Sequence, residues 1–73
     1  MKVSREGAKI ILEWSVEDDE DVKKAREFFI KLTRQGWFAT VHDGIFRRIL
    51  EFREEYGKLW FIPLSEGVSI SLW

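Results

Sequence analysis

The stretch WFATVHDGIFRRILEF, residues 37–52, decides the fold because it contains the strongest turn signal in the chain. Apolar and polar residues alternate on both sides of Asp43-Gly44, a pair that tolerates the positive φ values of a two-residue type I′ turn. We therefore predict a β-hairpin in which His42 faces Ile45 across the turn. Strand alternation then assigns every other side chain of the hairpin to one of two surfaces.

The predicted hairpin has one surface that suits a core and one of mixed composition. The first is mostly apolar and is expected to pack under a helix; it carries Trp37, Ala39, Val41, Phe46 and Leu50. The second carries Phe38, Thr40, His42, Ile45, Arg47 and Ile49. In this register Arg48 points to the helix side, where it pairs with an acid at the rim, and Arg47 belongs to the open surface.

Downstream of the hairpin, Leu59–Ile62 is apolar on both faces and ends at Pro63, which cannot donate to a sheet ladder. A strand that is apolar on both faces suits either a central strand or a buried interface. Residues 68–73 are compatible with one more strand. If that strand folds back over the open surface, the surface is ordinary core; if it does not, the surface is an apolar patch.

Upstream of the hairpin, residues 16–35 have the pattern of a helix. Ser15 is followed three residues later by Asp18, which is the spacing of a capping box. Apolar residues then recur at three- and four-residue steps, at Val22, Ala25, Phe28, Phe29 and Leu32. Gly36 is expected to end the helix in the left-handed conformation.

A strand precedes the helix. Residues 8–14 alternate, with Ala8, Ile10, Leu12 and Trp14 on the predicted core face and Lys9, Ile11 and Glu13 on the other. We predict an α+β fold with one helix, about 16–35, packed on one face of a small, largely antiparallel sheet. The order is β-α-β-β-β, with a further strand compatible at either end, for example at Val3. Residues 1–73 are expected to form a single domain.

Composition supports a globular, soluble protein. The chain has 73 residues, of which 45% are apolar and 15% aromatic, and it has no Cys, so a core or a partner subunit must stabilise it. Its net charge of −1 does not favour non-specific binding to nucleic acid. We expect a cytoplasmic location, since no apolar run has the length of a membrane span. The absence of Asn and Cys beside abundant Glu, Lys and Arg is a thermophile-like usage.

Two groups of residues are candidates for a catalytic or metal site. His42 and Asp43 are adjacent, but neither a nucleophile nor further ligands converge on them in the sequence. Glu51, Glu54 and Glu55 cluster near Arg53, and a solvated turn explains them better than acid–base chemistry. We therefore predict no enzyme activity, no metal and no cofactor.

The open surface of the hairpin sheet is the predicted site of function. We expect a non-enzymatic interaction module, either a homodimer or bound to another protein, whose candidates are Phe38, Ile45, Arg47, Ile49, Trp60 and Ile62. An alternative is a single-stranded nucleic-acid-binding protein that uses Phe38, Arg47 and Trp60, because such proteins combine cations with stacking rings. A third alternative is a designed or purely structural domain without a partner.

Several segments together resemble small proteins of archaea and tailed phages. They are residues 26–37, then Asp43-Gly44, Glu51-Phe52 and residues 55–64, which include EYGKLWFIPL. The resemblance implies a helix that ends in Gly plus an aromatic residue, a hairpin, and a strand that closes on Pro. That group has no assigned activity, so the resemblance assigns no functional residue here.

Overall fold

A computed structural model describes residues 1–63 of the chain. Their elements are β1 Lys2–Glu6, β2 Lys9–Glu13, α1 Asp19–Arg34, β3 Trp37–His42, β4 Phe46–Arg48, a 3₁₀ helix Glu54–Tyr56, and β5 Lys58–Pro63. The predicted α+β class and order of elements are confirmed, and the further N-terminal strand is present as β1. The strand proposed for residues 68–73 lies outside the described residues.

The strands form one five-stranded sheet in the order β1-β2-β5-β3-β4, with every neighbouring pair antiparallel. β5, the last strand within residues 1–63, lies in the middle of the sheet between β2 and β3. Because β2 and β3 are both antiparallel to β5, they run parallel to each other, and α1 connects them across one face. Both edges of β5 are therefore paired, and α1 covers the face that carries Leu59 and Phe61.

The core lies between α1 and the sheet. Its buried apolar residues are Ile10, Leu12, Trp14, Val22, Ala25, Phe29, Leu32, Ala39, Leu59 and Phe61. The rings of Phe28 and Phe29 lie against Phe61, with centroids 5.9 and 6.4 Å away. The predicted apolar face of the helix is thus confirmed, and so is the alternation of β2 from Ile10 onward; Ala8 is instead exposed in the β1–β2 turn.

The helix begins three residues later than predicted. Asp18, not Ser15, is the N-cap, and its carboxylate accepts hydrogen bonds from the backbone N–H groups of Glu20 and Asp21. Asp is as good a cap as Ser, and Ser15 lies before the helix, where its backbone N–H donates to the carboxylate of Asp21. The predicted end is confirmed, with Gly36 at a φ of 100°. Within residues 1–63, no helix is long and apolar enough to cross a membrane.

The hairpin turn has three residues, not the two that were predicted. His42 pairs with Phe46, so Asp43, Gly44 and Ile45 form the loop. A type I′ turn needs positive φ at both central residues. Here Gly44 alone of the three adopts it, with φ 87°, while the N–H of Asp43 donates to the carbonyl of Ile45 at 3.0 Å.

This one-residue difference in loop length moves each side chain of β4 to the opposite face of the sheet, because side chains alternate along a strand. Phe46 pairs with His42 and Arg48 with Thr40, which places both on the sheet surface opposite α1, hereafter the helix-free face. Arg47 pairs with Val41, and the N–H of Ile49 donates to Ala39, so these two lie on the α1 side. The predicted surfaces of all four residues were therefore wrong.

Candidate aromatic and cationic binding surface

Three aromatic rings meet on the helix-free face. Trp60, from the central strand β5, lies 5.6 Å from His42 and 5.9 Å from Phe46, measured between ring centroids. His42 and Phe46 pair across the hairpin and are 4.5 Å apart. Ring pairs at these separations attract each other beyond their buried area, so the three residues, hereafter the ring cluster, hold one another in place.

Three cations lie over rings on the same face. The ammonium groups of Lys9 and Lys58 are 5.1 and 4.9 Å from the ring centroids of Phe46 and Trp60. The guanidinium of Arg48 is 4.3 Å from the ring of Phe38, on the neighbouring strand. Each contact is within the roughly 6 Å range of cation–π attraction. The rings of this face are thus covered by positive charge from the chain itself.

The contact between Lys9 and Phe46 shows how the face is shaped. β5 and β3 separate β2 from β4 in the sheet, so the two side chains reach each other only across the face. In the order of strands in the sheet, Trp60 on β5 lies between Lys9 and Phe46, and its ring contacts that of Phe46. The hairpin tip and β2 therefore converge over the ring cluster.

Thr40 forms the floor between Trp60 and Arg48. It pairs with both residues, one on each neighbouring strand. Its side chain is 4% exposed, and its hydroxyl donates to the carbonyl of Trp60 at 2.9 Å. Because that hydroxyl is satisfied within the sheet, no polar group of Thr40 is left to face a ligand.

Charge is unevenly divided over the molecule. By strand alternation, the helix-free face carries four basic residues and two acidic ones. The basic residues are Lys2, Lys9, Arg48 and Lys58, and the acidic residues are Glu6 and Glu13. Glu13 is paired with Lys58 at 3.3 Å. The chain as a whole has a net charge of −1, and its densest acidic run, Glu17–Asp21, lies at the start of the helix on the other side. The helix-free face is therefore positive on an otherwise acidic protein.

The structure brings together half of the residues predicted for the site. Phe38, Trp60 and Ile62 lie on the helix-free face. Ile45 projects from the hairpin loop, Arg47 is on the α1 side with a 3.7 Å ion pair to Asp43, and Ile49 packs against the core. The predicted apolar patch is therefore broken up.

Five residues of the face were missed by sequence reasoning as binding residues. They are Lys9, His42, Phe46, Arg48 and Lys58. The alternation of residues 8–14 already placed Lys9 on the outer face, so that signal was present. Phe46 and Arg48 were missed because the turn length sets their side of the sheet. Lys58 was missed because the strand was predicted to begin at Leu59, although Lys58 lies two residues from Trp60 on the same face of β5.

The residues weighed for catalysis lie in ordinary surroundings. Arg53 is 3.4 Å from Glu51 and 4.0 Å from Glu55, in exposed ion pairs of the kind that contribute little in water. Among residues 1–63, no three His, Cys, Asp or Glu side chains are placed to hold a metal ion. A cleft of about 240 Å³ between the end of α1 and the hairpin is below the roughly 300–1,000 Å³ of small-molecule pockets.

The described residues thus define a small α+β protein with one positive, aromatic sheet face. No protein-family model matches the chain, and neither the curated proteins nor the solved structures searched contain a match. The resemblance to archaeal and phage proteins stays a prediction. The argument for function therefore depends on the chemistry of this face.

Proposed function

We propose that this chain is a non-enzymatic binding module that holds single-stranded nucleic acid on its helix-free face. The observation that carries the proposal is the arrangement of Phe46, which is exposed, with Trp60 and Phe38, which are partly buried, each with a cation of the chain over its ring. Proteins that bind single strands combine stacking rings with a positive groove that follows the backbone. Both parts are present on one surface here.

The cation–π contacts favour this ligand over a cationic one. A ligand that carries its own positive charge would have to displace Lys9, Lys58 or Arg48 and then lie beside them. A nucleotide can use both groups, because its base takes the place of the cation on the ring and its phosphate attracts the displaced cation. The charge that covers the rings in the free protein then becomes the charge that binds the ligand.

The position of the acids fits the same ligand. The acidic run at the start of α1 lies across the sheet from the helix-free face and is partly neutralised within the helix terminus, where Asp18 caps backbone N–H groups. On the face itself, Glu13 is already paired with Lys58. A phosphate backbone that follows the face therefore meets basic side chains before acidic ones.

The test is fluorescence anisotropy with a labelled single-stranded oligonucleotide of about ten nucleotides over a range of salt concentrations. With Lys9, Arg48 and Lys58 each neutralising one phosphate, the plot of log K against log salt is expected to have a slope of about −2, from about −0.7 per phosphate. Arg48→Ala is expected to make that slope shallower.

The matched control is Lys31→Ala, which removes one positive charge from the exposed side of α1. It leaves the helix-free face intact, so affinity and slope are expected to stay at the wild-type values. Absence of binding at low salt, or equal losses for Arg48→Ala and Lys31→Ala, would contradict the proposal.

A second candidate is association with a protein or with a second copy of the chain. The observation that favours it is the exposure of Ile45 and Leu50, at 65% and 82%, on either side of β4. Exposed apolar surface can mark an interface. Light scattering on a sizing column tests it: a dimer that Leu50→Glu or Ile45→Glu dissociates supports this candidate, and a monomer at all concentrations contradicts self-association.

A further inference from the structure

Resting on the proposed function, we infer that the ligand is an unstacked single strand held at two separate ring positions without regard to base identity. The first position is the ring cluster of His42, Phe46 and Trp60. The second is Phe38 with Arg48. A nucleic acid that occupies both must place one base on each.

The spacing of the two positions is larger than the rise between adjacent stacked bases. Phe38 and Trp60 are diagonal neighbours on adjacent strands, since Trp60 pairs with Thr40, two residues along β3 from Phe38. Such neighbours are roughly 7–8 Å apart, and His42 is farther, at roughly 13 Å from Phe38 with 3.3 Å per residue. Stacked bases of a duplex advance by only about 3.4 Å per strand. Adjacent bases must therefore separate to reach both positions.

Arg48 lies between the two positions. Thr40 separates Phe38 from the ring cluster along β3, and it is covered by neighbouring side chains, since it is 4% exposed and its hydroxyl bonds to the carbonyl of Trp60. Arg48 pairs with Thr40 and extends over the ring of Phe38, so its guanidinium is placed to meet a phosphate that passes from one position to the other.

The polar groups that are available explain why base identity has little effect. Discrimination between bases needs hydrogen bonds to their edges. The side chain of Thr40 is already bonded and the carboxylate of Glu13 is paired, so apart from the imidazole of His42 the polar groups next to the rings are lysine and arginine cations suited to phosphates. Stacking alone accepts every base, because each has a π face.

The experiment is a length series of oligothymidylates and oligoadenylates, measured by anisotropy for the wild type, Phe38→Ala and Trp60→Leu. Affinity is expected to rise steeply at the length that first fills both positions and slowly beyond it. Each variant is expected to lose about 5- to 150-fold, since one stacked base contributes roughly 1–3 kcal/mol, and to lose the steep rise. Adenine and thymine strands are expected to bind within about fivefold of each other.

Two matched probes separate stacking from charge. A strand of the same length that lacks its bases keeps every phosphate. It is expected to bind the wild type as weakly as the intact strand binds the double variant Phe38→Ala/Trp60→Leu. A duplex of the same sequence is expected to bind more weakly than the single strand, because its bases cannot separate. Circular dichroism and unfolding of each variant verify that the fold is retained.

The outcomes distinguish the two levels of the proposal. If single strands bind but Phe38→Ala has no effect, or if the duplex binds as well, the two-position inference is wrong while the proposed function stands. If no strand binds the wild type at low salt, both fail. If the protein is a dimer whose dissociation requires substitution of Trp60 or Phe46, a second copy occupies the face and the inference is overturned.

Discussion

The two faces of the sheet are built from the same strands, yet they are stabilised in different ways. On the α1 side, Phe61 and Leu59 are completely buried against helix residues. On the helix-free face, their neighbour Trp60 on β5 is only partly buried and contacts other rings and a lysine. The comparison teaches that large side chains in one strand can serve stability on one face and remain free to bind on the other.

The largest expected effect comes from substituting adjacent residues of β5. Phe61→Ala removes a completely buried ring and is expected to lower the free energy of unfolding by about 3–5 kcal/mol. Trp60→Ala is expected to lower it much less and to reduce oligonucleotide affinity instead. Urea unfolding measures the first effect and anisotropy the second. Equal destabilisation by both substitutions would remove the distinction between the faces.

The next effect concerns the loop that assigns the side chains of β4 to their faces. Gly44 has a φ of 87°, and a Cβ there meets no atom within 4 Å, so Gly44→Ala tests conformation alone. We expect a loss of about 1–2 kcal/mol in the free energy of unfolding. Gly7→Ala, at a similarly open site with φ 66°, is the control for the conformational cost at a turn that does not set the faces of Phe46 and Arg48. Oligonucleotide affinity should fall more for Gly44→Ala than for Gly7→Ala.

A smaller effect is expected at the start of the helix that covers one face. Asp18→Ala removes the N-cap and is expected to cost about 1 kcal/mol, measured by thermal or urea unfolding. Ser15→Ala is the matched control and should be close to neutral, because the contact of Ser15 with Asp21 uses its backbone N–H. A larger loss of unfolding free energy for Ser15→Ala than for Asp18→Ala would show that Ser15 is the N-cap, as the sequence predicts.

The smallest effect is a pH dependence on the α1 side. The hydrogen bond from the amino group of Met1, and then that from the N–H of Ser15, lower the pKa of Asp21 from its ordinary value of 3.8. A folded-state pKa below the unfolded one gives stability that is present above the ordinary value and is lost as pH falls through the folded pKa. Below about pH 4, the wild type should therefore lose more stability than Asp21→Asn. Equal losses of unfolding free energy with falling pH for the wild type and Asp21→Asn would contradict this.

Local patterns predicted most elements because the residues that decide them are adjacent in sequence. The apolar steps from Val22 to Leu32 define one helix face, and Gly36 ends the helix wherever it packs. The alternation of Ile10, Leu12 and Trp14 likewise follows from strand geometry, and all three are buried. These features need no knowledge of distant residues.

The binding surface was predicted only in part because it depends on choices that local sequence leaves nearly balanced. Asp43-Gly44 suits both a two-residue turn and a loop that also includes Ile45, and the choice between them moves Phe46 and Arg48 to the helix-free face. Similarly, Ser15 and Asp18 are both good caps, and in the structure Asp18 caps the helix. Small differences in free energy decide such cases, and long-range packing supplies them.

The sequence by itself determined one amphipathic helix, strands with an apolar face, and a net charge close to zero, because periodicity and composition are local properties. Only the tertiary structure decided that β5 lies between β2 and β3, and that Lys9, Phe46 and Trp60 meet although they are distant in sequence. The physical reason is that strand order and register are set by which faces can be buried together. That choice involves the whole chain at once.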